Sequence, residues 1–311
     1  MGFYLRLHYR HLMLISSMNY SKALFPSKSS LVHLRFFFSV FLLPVFLFAL
    51  SQAPHVIRLN AILTFIIWHL LVYPASNGFN SYFDKDEGSI ALVEHPPAVD
   101  KSLYVISLIL DFLAIVLAFF VSIELVLAVL AYGLFSKLYS HPNTRLKKYP
   151  IISFAIVFLF QGACVYWSSY AAISGLSVLH GWNLNFLLAG LICSCLIGAT
   201  YPLTQVYQHD EDRKRGDLTL SILLGIRGSF VFSAILFASA TLMMYFYWAN
   251  IGKPENFYLF VLFAIPVFYV FLRWAVKVWR DAREANYKNM SRMTLISGLV
   301  MLLYFGMLIF I

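Results

Sequence analysis

Residues 101–140 read KSLYVISLILDFLAIVLAFF and then VSIELVLAVLAYGLFSKLYS. A helix that crosses a bilayer needs about 20 mainly apolar residues, and this stretch supplies two such runs in succession, 101–119 and 122–139. The chain has room to reverse between them only near residues 121–124. The stretch therefore predicts two antiparallel membrane helices joined by a very tight turn.

The rest of the chain has the same apolar character. Of its 311 residues, 61% are hydrophobic and 12% are charged, whereas a soluble globular protein is about 45–50% apolar and about 25% charged. This composition excludes a soluble enzyme, a secreted disulfide-bonded domain and a disordered regulator. Seven further runs have spanning length, at 33–50, 59–80, 150–173, 184–206, 228–249, 256–279 and 293–311.

We therefore predict an all-α polytopic membrane protein with nine transmembrane helices. These helices form a single domain, residues 31–311, which follows a basic cytoplasmic segment, residues 1–30.

Lys and Arg residues are concentrated on one side of this topology. The side with the N-terminus and the loops after helices 2, 4, 6 and 8 carries 21 of them, and the other side carries only Arg58 and Lys253. Because cytoplasmic loops are enriched in Lys and Arg, we expect the first side to be cytoplasmic. The net charge of +9 then reflects the membrane topology. We predict no nucleic-acid partner, because proteins that bind nucleic acid gather Lys and Arg on one face or in one tail.

The acidic residues form a second pattern. Nine of the 14 lie in the loops after helices 2 and 6, on the predicted cytoplasmic side. Asn80 and Asp84 are four residues apart, so they share a face if helix 2 continues through them. By the same spacing, Gln205, Gln208 and Asp212 share a face at the end of helix 6. Amide and carboxylate oxygens suit Mg²⁺, which is usually held by one or two carboxylates plus substrate phosphates.

A basic loop follows helix 4 on the same predicted side. It contains Arg145, Lys147 and Lys148. Acids that hold a metal, beside bases that bind phosphate oxygens directly, are the expected pattern for a metal-bridged diphosphate. The sequence therefore predicts a diphosphate site where these three loops meet.

At these residues the chain resembles the UbiA superfamily of intramembrane prenyltransferases, which has nine transmembrane helices and Asp-rich loops after helices 2 and 6. The family's first motif, NxxxDxxxD, is similar to the stretch from Asn80 to Asp84, but its third position falls on Gly88. The segment Leu138-Tyr139-Ser140 with the following Arg145 is similar to a third family segment after helix 4.

The second family motif is DxxxD followed by Gly and Thr. Gly216 and Thr219 anchor its alignment here, which places Asp212 at the second Asp and Gln208 at the first. The departures at Gly88 and Gln208 place the chain in a divergent branch of the family that it resembles.

The resemblance implies Mg²⁺-dependent transfer of an isoprenyl group from an allylic diphosphate to a lipophilic acceptor, either aromatic or a quinone precursor. It implies as metal ligands Asn80, Asp84, Asp86, Glu87, Gln208, Asp210, Glu211 and Asp212. It implies as diphosphate ligands Arg35, Arg145 and Lys147, and as catalytic residues Asp84, Asp212 and Tyr139. Candidates to stabilise an allylic cation are Phe79, Tyr82, Phe83, Tyr201 and Tyr207.

Three alternatives stay open: a membrane terpene cyclase, prenyl transfer to a non-aromatic acceptor, and a secondary transporter. Transporters place ionisable groups near the bilayer midplane, and here only Asp111 lies that deep, where it either packs helices or orients the acceptor. The expected partners are an isoprenyl diphosphate, the acceptor and membrane lipid, with no obligatory protein partner. We expect a bacterial inner-membrane protein with a cytoplasmic active site.

Overall fold

The computed structural model describes residues 26–85, 88–90, 92–179 and 183–311. Across these ranges the regular structure is helical, and the extended backbone pairs only in an isolated bridge between Ile90 and Val93. Nine helical segments of the described part have the length and composition to cross a membrane, and we number them spans 1 to 9: Lys28–Gln52, Arg58–Asp84, Lys101–Phe119, Ile123–Ser140, Pro150–Ser174, Leu184–Thr204, Leu220–Asn250, Pro254–Arg280 and Tyr287–Met307.

The predicted all-α class and the count of nine spans are thus confirmed, and the chain is an integral multi-pass membrane protein. Most of the basic segment 1–30 lies outside the described residues, and span 1 begins inside its last part, at Lys28.

The tight turn between spans 3 and 4 is also confirmed. Span 3 ends at Phe119 and span 4 begins at Ile123. Ser122 caps the new helix, because its Oγ accepts a hydrogen bond from the backbone N–H of Leu125 at 3.1 Å. The side chain of Glu124 then accepts bonds from Ser177 Oγ (2.5 Å) and the N–H of Val178 (2.9 Å), which fixes the turn against the loop after span 5.

The predicted continuation of helix 6 is wrong. Its α-helix ends at Thr200, because Pro202 has no N–H to donate and its ring obstructs the preceding helical turn. The chain continues through a 3₁₀ turn, Pro202–Thr204, and then forms a separate short helix, His209–Arg215. The residues from Gln205 to Asp212 therefore do not share one helical face.

The predicted start of helix 7 is also wrong. Span 7 begins at Leu220, eight residues before the predicted boundary, and includes a break at Gly225. The backbone φ of Gly225 is 70°, a left-handed conformation that glycine adopts without steric cost. The break separates the short segment near the site loops from the long membrane helix.

The spans pack around a central space. Spans 6 to 9 each contact the next, span 9 contacts span 1, and span 1 contacts span 5, while spans 2, 3 and 4 pack against one another. Span 1 is joined to this ring by Phe48, whose ring lies 4.9 Å from Phe305 of span 9 and 5.2 Å from Tyr166 of span 5 (between centroids). Such aromatic contacts are favourable beyond simple burial.

A network of hydroxyl groups holds the start of span 1 against the start of span 3. Asp100 accepts hydrogen bonds from Ser27 Oγ, from Ser30 Oγ at 3.2 Å and from the N–H of Ser102 at 2.8 Å. His33 Nε2 lies 2.7 Å from the carbonyl oxygen of Pro97. Burial alone would raise the pKa of Asp100, but the hydrogen bonds from Ser102 and Ser27 outweigh it and lower that pKa below its ordinary value.

Asp111, the deep carboxylate, packs two helices together. It forms an ion pair with Lys137 of span 4, whose ammonium nitrogen lies 4.7 Å from the centroid of the Phe79 ring. Neither Asp111 nor Lys137 lines the central cavity. A paired carboxylate outside the cavity fits helix packing better than orientation of an acceptor.

We expect Gly162 to be essential for the contact between spans 5 and 6. A Cβ atom at this position would overlap the backbone of Ser194, and overpacking of this kind costs about 1–3 kcal/mol. Gly162→Ala should therefore lower the midpoint of thermal unfolding in detergent by several degrees.

Gly306→Ala is the matched control, because the nearest atom to its Cβ would be Leu47 Cδ1 at 4.0 Å. Equal melting temperatures for the two variants would contradict this packing.

Candidate active site

A cavity of about 890 Å³ lies between the spans, and every span except the third contributes to its lining. Its deep part is apolar and aromatic, with Phe160, Leu196, Phe237, Val261 and Met301 among its walls. One end of the cavity is polar and lies where spans 2, 4 and 6 end. A ligand with a charged head and a hydrocarbon tail would match this division.

Asp84 lies at the polar end because span 2 ends there. The helix continues through Asn80 and Asp84, as predicted, and then stops at Lys85, whose φ of 48° is left-handed. The carboxylate of Asp84 binds the ammonium group of Lys147, and its Oδ1 lies 3.7 Å from Arg145 Nη1. The loop after span 2 and the loop after span 4 are thus held together by charge.

Asp217 is a site residue that the sequence reasoning did not assign. Its carboxylate accepts two hydrogen bonds from Arg145, at 2.7 Å from Nε and 2.8 Å from Nη2, in a fork geometry. Its Oδ2 lies 3.8 Å from Lys147 Nζ, and its side chain is only 1% exposed. The hydrogen bonds that Arg145 donates to Asp217 raise the pKa of Arg145, so this guanidinium stays charged. Asp217 shows no motif spacing, and only its membership of an acidic loop could have suggested a role.

Asp212 faces the cavity with an unsatisfied oxygen. Its Oδ2 is buried and has no hydrogen-bond partner among the described residues, and the same is true of Thr219 Oγ1 and Ser233 Oγ, which also line the cavity. Burial raises the pKa of Asp212 to about 6, although Lys147 acts in the opposite direction. Buried polar atoms normally have a partner, so these oxygens indicate where a ligand group would bind.

Gly88 and Gln208, the two positions that depart from the family motifs, both lie where the loop after span 2 contacts the loop after span 6. Gln208 Nε2 donates to the carbonyl oxygen of Ser89 at 3.3 Å, and Tyr207 OH donates to the same oxygen at 3.2 Å. The Glu211 carboxylate lies against Gly88, so closely that a Cβ atom on Gly88 would overlap it. Gln208 and Glu211 therefore hold the loop after span 6 against the loop after span 2, and a metal role for either stays a prediction.

The remaining predicted metal ligands are placed differently from one another. Asn80 lines the cavity and donates to Ser140 Oγ at 2.9 Å. Asp210 does not line it: its side chain is 92% exposed and lies 3.7 Å from Arg213. Asp86 and Glu87 lie outside the described residues.

Tyr139 and Arg35 complete the polar end. The hydroxyl of Tyr139 lies 3.0 Å from that of Tyr201, and both tyrosines line the cavity. Arg35 also lines it and donates from Nη2 to the carbonyl oxygen of Asn77 at 3.3 Å. Arg215, not predicted as a site residue, is a further base in the lining. Of the five predicted cation-stabilising aromatics, only Tyr201 and Tyr207 reach the cavity, because the others pack with Tyr104 beside it.

The side chains at the polar end fit a divalent ion whose remaining ligands come from a bound substrate. Within the described ranges no group of three or more His, Cys, Asp or Glu side chains could hold a metal alone. Asp84 and Asp212 nevertheless face one cavity, and Asp212 keeps an oxygen free. Mg²⁺ is typically held by one or two carboxylates, with phosphate oxygens and water as its other ligands, and the chemistry of these two acids fits that pattern.

The raised pKa of Asp212 predicts a pH dependence of stability in metal-free protein. Between the ordinary carboxyl value of 3.8 and about 6, the folded state holds a proton that the unfolded state has lost, so stability falls as pH rises through this window. Asp212→Asn removes this loss. Its melting temperature, measured in detergent with a chelator, should exceed that of the parent protein at pH 7 and equal it near pH 4. An unchanged difference between the two proteins across pH 4–7 would contradict the shift.

Solved structures of other proteins share this fold. The UbiA homologue from Archaeoglobus fulgidus bound to GPP and Mg²⁺ is 16% identical, with a TM-score of 0.67 over 91% of this chain and 100% of that chain. The apo UbiA homologue from Aeropyrum pernix K1 is 16% identical, with a TM-score of 0.64 over 89% of this chain and 98% of that chain.

A digeranylgeranylglyceryl phosphate synthase is 19% identical, with a TM-score of 0.59 over 91% of this chain and 99% of that chain. At these identities the likeness shows the fold alone. No curated protein matches the chain. The UbiA prenyltransferase family model matches residues 41–299, which is most of the sequence. The chain therefore belongs to the UbiA prenyltransferase family.

Proposed function

We propose that this protein transfers an isoprenyl group from an allylic diphosphate to a lipophilic acceptor within the membrane, with Mg²⁺ as cofactor. The observation that carries the proposal is the division of one cavity into a charged end and an apolar end. The charged end gathers acids and bases from three loops, and the apolar end can take a hydrocarbon chain. The structures of relatives with GPP or DMAPP and Mg²⁺ support the same substrate class.

Arg145 and Lys147 are the residues that would bind the diphosphate. Lys147 lines the charged end, whereas Arg145 does not line the cavity itself but contacts Asp84 and Asp217, which do. Asp84 and Asp212 would hold Mg²⁺, since both carboxylates face the cavity. Bound Mg²⁺ would supply neutralisation of the negative charge on the leaving group. Asp217 positions the bases, because its fork contact fixes the plane of the Arg145 guanidinium.

The reaction breaks the bond between the allylic carbon and its oxygen, and the electron pair leaves with the diphosphate. The acceptor then forms a bond to that carbon and loses a proton. The apolar walls exclude water, which would otherwise capture the allylic cation. The Tyr139 and Tyr201 side chains both line the cavity, and an aromatic face stabilises a cation by about 0.5–2 kcal/mol.

We also propose the class of acceptor, the membrane in which the protein lies and the side on which its active site opens. The resemblance favours an aromatic or quinone-precursor acceptor, and the distribution of Lys and Arg favours a cytoplasmic site in a bacterial inner membrane. A transporter is disfavoured because Asp111 is paired and lies outside the cavity. Release of diphosphate that depends on the acceptor would separate transfer from both cyclisation and transport.

Asp84→Ala and Asp212→Ala should each abolish Mg²⁺-dependent transfer, because each removes a carboxylate of the proposed metal site. The assay incubates membranes with labelled allylic diphosphates of several lengths and a panel of acceptors. Asp210→Ala is the control, since that carboxylate is exposed and outside the cavity. Normal turnover by both cavity variants would refute the metal assignment.

Asp217→Asn should raise the KM for the diphosphate about tenfold, a loss of about 1.4 kcal/mol, because Arg145 loses a charged partner that orients it. Asp281→Asn removes an exposed acid that pairs with Arg283 at 2.9 Å, and it should leave the KM unchanged. The melting temperature of each variant is measured alongside. A folded Asp217→Asn protein with the parental KM would show that Asp217 does not position the base.

A further inference from the structure

Span 8 carries a row of cations on its outer side. Arg273, Lys277 and Arg280 are exposed and are spaced four and three residues apart, so they share one helical face. At 1.5 Å per residue, the row is about 10 Å long. It lies at the end of span 8, which is on the same side of the membrane as Asp84 and Ser140, where spans 2 and 4 end.

The cations form one half of a shallow groove whose other half is apolar. The groove is lined by Ile265, Phe268, Tyr269, Leu272, Val276 and the three cations. The side chains of Tyr269 and Val276 are 59% and 50% exposed, so this face contacts bilayer lipid and not another span. Pro266 lies inside the helix at the apolar end, where its missing N–H favours a bend.

The protein neutralises the charge of the groove only in part. Among the described residues, Arg273 and Arg280 form no ion pair, and Lys277 has only Glu284 at 3.5 Å. The nearby Asp281 is already paired with Arg283. Arg227 of span 7 adds a further cation at this end of the helix, because its Nη2 donates to the carbonyl oxygen of Trp279 at 2.9 Å.

We propose that the span 8 groove binds one anionic bilayer lipid. The lipid phosphate would lie on Arg273, Lys277 and Arg280, and a hydrocarbon chain would extend along Leu272 and Tyr269. A soluble anion would use only the basic half, whereas a lipid uses both halves. Basic clusters at the membrane surface attract anionic lipids in this way. The groove shares Ile265 and Phe268 with the cavity lining, but its three cations, Leu272 and Tyr269 lie outside the cavity. The proposal does not depend on prenyl transfer.

The test is native mass spectrometry of the full-length protein, titrated with phosphatidylglycerol or phosphatidylcholine. We expect tighter binding of phosphatidylglycerol. Arg273→Gln/Lys277→Gln/Arg280→Gln should weaken it about fivefold for each cation removed and leave phosphatidylcholine binding unchanged. Leu272→Asn should also weaken phosphatidylglycerol binding, because it disrupts the apolar half while the cations remain.

The matched control is Lys214→Gln/Lys288→Gln/Arg292→Gln, which removes three exposed cations outside the groove. It should bind phosphatidylglycerol as the parent does, and thermal unfolding checks that both triple variants are folded. An equal loss in the control, or parental binding in the groove variant, would overturn the site. Displacement of the lipid by an equal concentration of inorganic phosphate or an isoprenyl diphosphate would overturn the choice of a bilayer lipid.

Discussion

Arg145 and Lys147 bind the carboxylates of Asp84 and Asp217 at the mouth of a cavity that is otherwise mainly apolar. Each of these charges alone, removed from water, would cost several kcal/mol, and each is stabilised only with a partner in place. Because the four residues come from three separate loops, their pairing joins the ends of spans 2, 4 and 6 and the start of span 7. Asp212 and Tyr139 face a defined space only because these loops meet.

Much of the architecture could be predicted from the lengths of the apolar runs and the positions of the charged residues. Runs such as 101–119 are too apolar for water, and the short interval before Ile123 left room only for a tight turn. The predicted end of helix 6 and start of helix 7 were wrong because a proline or a glycine changes the backbone inside an apolar run. Pro202 ends the α-helix of span 6 although its neighbours are apolar. Gly225 breaks span 7, and the chain is helical both before and after it. Hydrophobicity does not detect either effect.

The candidate site could be predicted only in outline. Asp84, Arg145 and Lys147 were expected together because their loops follow even-numbered spans, and alternation places such loops on one side. The fork between Asp217 and Arg145 could not be predicted, because it depends on left-handed backbone at Arg145 and Gly216. The hydrogen bond from Gln208 to the Ser89 carbonyl could not be predicted either, because a sequence pattern does not show where the backbone groups of a loop lie.

The hydroxyl network around Asp100 bears on the order in which the protein assembles during synthesis. Ser27 and Ser30 are made more than 65 residues before Asp100, their partner. Until the start of span 3 is in place, the beginning of span 1 has none of these bonds and is held only by its contacts with span 2 among the spans made by then. Arg35 follows this beginning by a few residues, and its bond to the Asn77 carbonyl of span 2 needs no residue of span 3. The beginning of span 1 therefore completes its polar contacts only after residues far along the chain, next to span 3, have been made.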